Sequence, residues 1–244
     1  MRGYVYVASD LHGCYDEYKK MIDDVIKLSK DDELYIIGDV LDRGKMPLSI
    51  LRDIMRRENV HLIMGNHENF ALNVLPYVNS YIDEISEDFY SDDIKTKYYT
   101  WFFNGGETTF DEFYKLSKNE QTEIIDFLRN LPSHIEIELN GNKYFLTHAG
   151  IDNYDENADV ADMPVENFIW HSPQSFSTPF FKEENRFLVF GHVPTFRLND
   201  CDAEEGKIFI KNNYIGVDCG CVFSKYYNGR LGCLRLNDME EFYV

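Results

Sequence analysis

Residues 33–44 read ELYIIGDVLDRG. Five residues of strand character, Glu33 to Ile37, stop at Gly38, and the chain then presents Asp39, Asp42 and Arg43. The same order occurs on either side. Residues 4–8 (YVYVA) alternate as a strand does and run into Asp10, His12 and Gly13; residues 60–64 (VHLIM) run into Gly65-Asn66-His67-Glu68. Between these strands Tyr18, Met21, Ile22, Val25 and Ile26 recur at helical spacing. Pro47 suits the first turn of a second helix, whose apolar face holds Leu51, Ile54 and Met55. Strand–helix–strand–helix–strand predicts a parallel sheet with right-handed crossovers. Ligands of open α/β sheets gather beyond the carboxyl ends of the strands. Three polar clusters stand there within the first 68 residues.

Working outward, residues 77–133 read as mostly helical and rich in Tyr and Phe, with an acid-only run at 83–93 (DEISEDFYSDD). We take this stretch as a helical acidic insertion. Beyond it, residues 135–139 and 143–149 flank Asn140-Gly141-Asn142, which predicts a hairpin with an Asn-Gly turn. Strands follow at 187–191, 207–210 and 214–218, then a closing strand around GRLGCLRLN (229–237). There is no internal repeat and no low-complexity linker. The expectation is one α/β domain spanning 1–244, built as two sheets face to face with helices outside.

Composition narrows the function. With 24 basic and 43 acidic residues, a net charge of −19, the surface is unsuited to duplex nucleic acid, which needs Lys and Arg against its phosphates. The same charge repels a phosphoester at long range, so bound divalent cations are the natural means of reversing the field locally. It also favours basic residues flanking any substrate phosphate. No apolar run is long enough to span a membrane, and the N-terminus does not resemble a secretory signal. Five cysteines without paired CxxC spacing fit a reduced, cytoplasmic setting.

Two later histidines also end strands, His148 in LTHAG and His192 in FGHVP. With the earlier clusters they give six nitrogen and oxygen donors: Asp10, His12, Asp39, Asn66, His148 and His192. Mixed imidazole and carboxylate donors suit Mn, Fe or Zn better than Ca. Paired metals need a bridging carboxylate, and Asp39 lies in the middle cluster where it can bridge. His61, inside a strand, and His134, after Leu131-Pro132, read as structural.

These motifs resemble a known family. Asp10-Leu11-His12-Gly13, Gly38-Asp39-x-x-Asp42-Arg43-Gly44, Gly65-Asn66-His67-Glu68, Thr147-His148-Ala149-Gly150 and Gly191-His192-Val193-Pro194 are similar, in order and chemistry, to the signature of the metallo-dependent phosphoprotein phosphatases. That group lies within the calcineurin-like phosphoesterase superfamily. Trp101-Phe-Phe-Asn104-Gly105-Gly106 resembles its bacterial and bacteriophage-lambda Ser/Thr phosphatase branch. The resemblance implies a two-sheet sandwich in four αββα layers and two divalent metals, manganese foremost, with iron or zinc as alternatives. Asp10, His12 and Asp39 would hold the first metal; Asp39, Asn66, His148 and His192 the second. A metal-bridging hydroxide would attack phosphorus in line. Arg43 and Asn66 would bind the phosphate, and His67, supported by Asp42, would protonate the leaving alkoxide.

The sequence departs from this pattern at one place. The branch carries an arginine two residues after a tryptophan, whereas Trp170-His171-Ser172 has serine there. His171 is the candidate substrate-binding replacement, with Arg186, Arg197 and Arg230 as alternatives. The expected substrate is a phosphorylated protein or small phosphoester. The alternative is symmetrical dinucleoside tetraphosphate hydrolysis, but relatives of that kind usually lack Asp at position 42 and carry Asp in place of Glu68. Retention of every metal and acid residue counts against a silent binding scaffold.

Overall fold

The computed structural model describes residues 3–78, 91–155, 160–198 and 206–244. Among them are two five-stranded sheets. In the first, β1 (Val5–Ala8), β2 (Glu33–Ile36) and β3 (Val60–Leu62) run parallel, as the crossover pattern predicts. The second begins with β4 (His134–Leu139) and β5 (Asn142–Thr147), an antiparallel hairpin. Its turn residues Asn140 and Gly141 both have positive φ, 53° and 83°, as a two-residue hairpin turn requires. It continues in parallel through β6 (Arg186–Phe190) and then β8 (Tyr214–Gly216), with β7 (Phe209–Lys211) as an antiparallel edge. The closing strand β9 (Gly232–Arg235) returns to the first sheet, antiparallel beside β1. Outside it lies β10 (Glu240–Tyr243), which the sequence reading did not include.

Side-chain alternation sorts each strand between two cores. Val7, Ile37, Ile63 and Leu234 from the first sheet meet Tyr144, Leu146, Val189 and Ile215 from the second, forming the layer between the sheets. Tyr6, Ala8, Leu34, Ile36, Val60 and Leu62 point the other way, into the helices. Those helices are α1 (Tyr15–Lys20), α2 (Pro47–Met55), α3 (Asn66–Val74), α4 (Asp92–Phe103), α5 (Glu107–Phe113) and α6 (Lys118–Arg129). The first departs from regular spacing: after Lys20 it widens to a π-helix over Met21–Val25, with the Ile26 N–H donating to Met21 O, 2.9 Å away. This keeps Tyr18, Met21, Ile22 and Ile26 all in the core. The outer face of the second sheet is covered by α7 (Glu166–Ile169) and by Phe176 and Phe181.

Residues 83–90 of the acidic run lie outside the described residues. The helices that follow contribute Trp101, Phe113, Ile124 and Leu128 to the same core as the first sheet. Their main consequence for function is that Trp101 and Thr109 reach the site.

Candidate active site

Every predicted donor stands just past the carboxyl end of a strand: Asp10 and His12 after β1, Asp39 after β2, Asn66 after β3, His148 after β5 and His192 after β6. The backbone reaches these positions under strain. Asp10 (φ 54°), His12 (41°), Asp39 (55°), Asp42 (71°), Arg43 (65°) and His192 (68°) all adopt positive φ without being glycine. Such conformations are held only where the surroundings over-determine them, and they cluster at functional sites. The chain between Asp10 and His12 is therefore turned rather than extended, yet it still brings His12 Nε2 to 3.9 Å from Asp10 Oδ1. A Cβ on Gly65 would strike the Asp39 carboxylate and backbone nitrogen, so only glycine permits these loops to close this tightly.

Asp39 is the common member of two tight clusters of possible metal ligands, His12–Asp39–His67 and Asp39–His148–His192. Its Oδ2 lies 3.6 Å from His12 Nε2, and its Oδ1 lies 3.4 Å from His148 Nε2. Asn66 Oδ1 is 2.9 Å from the same His148 nitrogen. His12 directs Nδ1 to Leu41 O, and His148 directs Nδ1 to Ile37 O, each at 2.9 Å. A backbone carbonyl on Nδ1 selects the tautomer that leaves Nε2 as a ligand, the usual arrangement behind a metal-binding histidine. Asp10 accepts hydrogen bonds at Oδ2 from Ser9 Oγ and from the His192 N–H, but its buried Oδ1 has no hydrogen-bond partner. His67 has Nδ1 on Asp42, and its Nε2, like that of His12, faces Arg43. The chemistry of these residues fits divalent cations that share Asp39.

Electrostatics point the same way. Burial raises Asp10 to about 6 despite the opposing charge of His148, and Asp39 adds to the rise. Burial and the nearby Asp10 charge push Asp218 well above the carboxylate range. Burial favours a neutral Asp39, but His148 and His67 overcome it and hold its carboxyl well below the usual range. Burial and the His148 charge lower His192 to about 4. Crowded, desolvated carboxylates of this kind are what a bound cation stabilises.

Beside the donors, His67 Nδ1 lies 2.6 Å from Asp42 Oδ2, with both side chains fully buried. Asp42 is fixed in turn by Trp101 Nε1 (2.7 Å) and Thr109 Oγ1 (2.5 Å). Burial would discharge the His67 ring; Asp39 and Asp42 overcome it and raise its pKa above the ordinary histidine value. The Arg43 guanidinium donates to His12 Nε2 (2.7 Å) and His67 Nε2 (2.9 Å).

A sequence model of the calcineurin-like phosphoesterase family matches residues 3–199. The chain belongs to that family. It is 27% identical over 197 residues to the symmetrical bis(5'-nucleosyl)-tetraphosphatase of Buchnera aphidicola subsp. Acyrthosiphon pisum (strain APS), an alignment covering 80% of this chain and 60% of that protein. To serine/threonine-protein phosphatase 2 of Salmonella typhimurium it is 28% identical over 170 residues, covering 68% and 67% of the two chains. Among solved structures, a protein serine/threonine phosphatase from Saccharomyces cerevisiae superposes with a TM-score of 0.56 at 14% identity, covering 96% of this chain and 73% of that one. The last likeness shows the fold.

Within this calcineurin-like phosphoesterase, His171 is the predicted site residue that the structure does not draw into the cluster. Its ring is 67% exposed, and its Nδ1 lies 3.4 Å from Asp152 Oδ2. The alternative arginines are engaged elsewhere: Arg186 with Glu136, Arg197 over Phe223, Arg230 over Tyr243. Three supporting residues had no assigned role in the sequence reading. Glu68 accepts the backbone N–H groups of Asp39, Val40, Leu41 and Gly65 at 2.8–3.1 Å, splinting two motif loops together. Trp101 had stood only as a mark of the family branch, and Thr109 had no signal at all. Replacing Trp101 with Phe removes one of the bonds that aim Asp42. It should lower kcat about 10-fold on a serine phosphoester, the scale of outer-sphere losses, with metal content unchanged by elemental analysis. An unchanged kcat would deny Trp101 that role.

Proposed function

We propose that this protein is a divalent-metal-dependent phosphomonoesterase acting on phosphoserine and phosphothreonine in proteins. The observation that carries the reading is the buried His67–Asp42 pair, 2.6 Å apart beside the donor cluster. An alkoxide is too basic to leave unprotonated, so hydrolysis of a serine phosphoester needs a positioned acid. The nucleoside diphosphate released by symmetrical cleavage of a dinucleoside tetraphosphate is a far weaker base and leaves without such help. A histidine whose proton affinity is raised by two neighbouring carboxylates, Asp39 and Asp42, matches the first demand.

Two cations, held by Asp10, His12 and Asp39 and by Asp39, Asn66, His148 and His192, would activate water and offset negative charge on the transferring phosphoryl group. Arg43 would grip the phosphate oxygens. A phosphate dianion is a stronger acceptor than a neutral ring, so substrate would draw the guanidinium off His67 and leave Nε2 free to carry its proton. Asp42 would hold the ring by Nδ1 and stabilise the imidazolium until Nε2 delivers that proton to the leaving oxygen.

The alternative, a symmetrical dinucleoside tetraphosphate hydrolase, draws support from the Buchnera relative. The two are separated by comparing kcat/KM for a phosphoserine peptide and for diadenosine tetraphosphate on manganese-loaded protein. The phosphatase reading expects the peptide to be the better substrate; the reverse ranking would replace it with the nucleotide reading.

A further inference from the structure

A groove of about 390 Å³ begins at Arg43 and passes Lys45 and Lys225, between the loop after β1 and residues 221–226. Through Asp16, Glu17, Cys221 and Ser224, which line both, it adjoins a second hollow of about 660 Å³ that Lys20 and Arg230 line. The two together present five basic side chains (Arg43, Lys45, Lys225, Lys20 and Arg230) against two acidic ones, Asp16 and Glu17. The whole chain has the opposite balance, 24 basic to 43 acidic. Some lysines elsewhere are paired with neighbours, Lys19 with Asp23, Lys95 with Asp92 and Lys97 with Asp93. Among the described residues no ion pair joins Lys20, Lys45 or Lys225 to an acid, although acids are abundant.

We propose that this groove receives the peptide flanking the substrate's phosphorylated residue, and that it prefers flanks carrying Asp, Glu or a second phosphate. The inference rests on the phosphoprotein reading above. The groove is continuous with Arg43, so a chain whose phosphate sits at Arg43 can lay its neighbouring residues along it. The chain's total charge argues for basic flanks, but charges beyond a Debye length of about 8 Å are largely screened. The potential felt by the flank is therefore set by the lysines that line the groove, and complementary charge there governs selection more than the distant surface does.

The test uses manganese-loaded wild type and the K45E/K225E double variant on three phosphoserine peptides of equal length, with acidic, neutral and basic flanks. Both proteins are also assayed on p-nitrophenyl phosphate. Wild type should favour the acidic over the basic peptide about fivefold in kcat/KM, the scale of two exposed charge pairs, and high salt should erase the preference. The double variant should lose or reverse it while p-nitrophenyl phosphate turnover is unchanged. Lys20→Glu, in the farther hollow, should weaken the preference about twofold. Equal turnover of the three peptides by wild type, or a preference surviving in both variants, overturns the groove while the phosphatase reading stands. Hydrolysis of p-nitrophenyl phosphate with no turnover of any phosphopeptide overturns both.

Discussion

Asp39→Asn should lower kcat more than about 10³-fold, at or beyond the top of the range for losing one transition-state-stabilising group, and should reduce bound metal at both positions. Asp39 is the only residue shared by the two ligand clusters, with one oxygen 3.6 Å from His12 Nε2 and the other 3.4 Å from His148 Nε2. An amide offers one oxygen and no charge, so it can serve neither cation as the carboxylate does. Asn66→Asp changes a donor on one side only and adds charge rather than removing it, so its loss should be smaller. Elemental analysis alongside steady-state kinetics checks both. Two bound metals and near-normal turnover in Asp39→Asn would remove the bridge from the account.

His67→Asn should lower kcat on a serine phosphoester by about 10²–10⁴-fold, the usual contribution of a general acid, with metal content intact. On an aryl phosphate the loss should shrink, because a phenolate leaves with less help. Asp42→Asn should cost less, and the double variant should be little worse than His67→Asn, since residues acting as one unit are non-additive. An equal loss on both leaving groups would make the 2.6 Å contact an ordinary buried ion pair.

The sequence made the site more legible than its supports. Asp10, His12, Asp39, Asn66, His148 and His192 could be singled out because each follows a short run of strand character, alternating in YVYVA and mostly apolar in the others, and strand ends in such sheets converge. The strand β10 could not. Its residues EEFY carry two exposed glutamates on the sheet's edge, so no buried face imposes a two-residue period. Nor could the return of β9 to the first sheet be read, because its partner β1 lies more than 200 residues earlier and local pattern does not encode pairing. Glu68 was visible as a residue type but not as a splint, since its four partners are backbone N–H groups common to almost any residue. Thr109 sits 67 residues from the Asp42 it holds, on a helix where a threonine carries no signal. His171 was chosen for its place beside Trp170, and that place left its ring exposed against Asp152 rather than among the donors.

The central claim is that two cations, sharing Asp39, are required for phosphoester hydrolysis. Thoroughly demetallated protein titrated with Mn²⁺ while p-nitrophenyl phosphate turnover is followed tests it most directly. The account predicts no activity before addition and full recovery at two bound equivalents per chain. Full activity in the demetallated protein would contradict it, and so would a plateau at one equivalent.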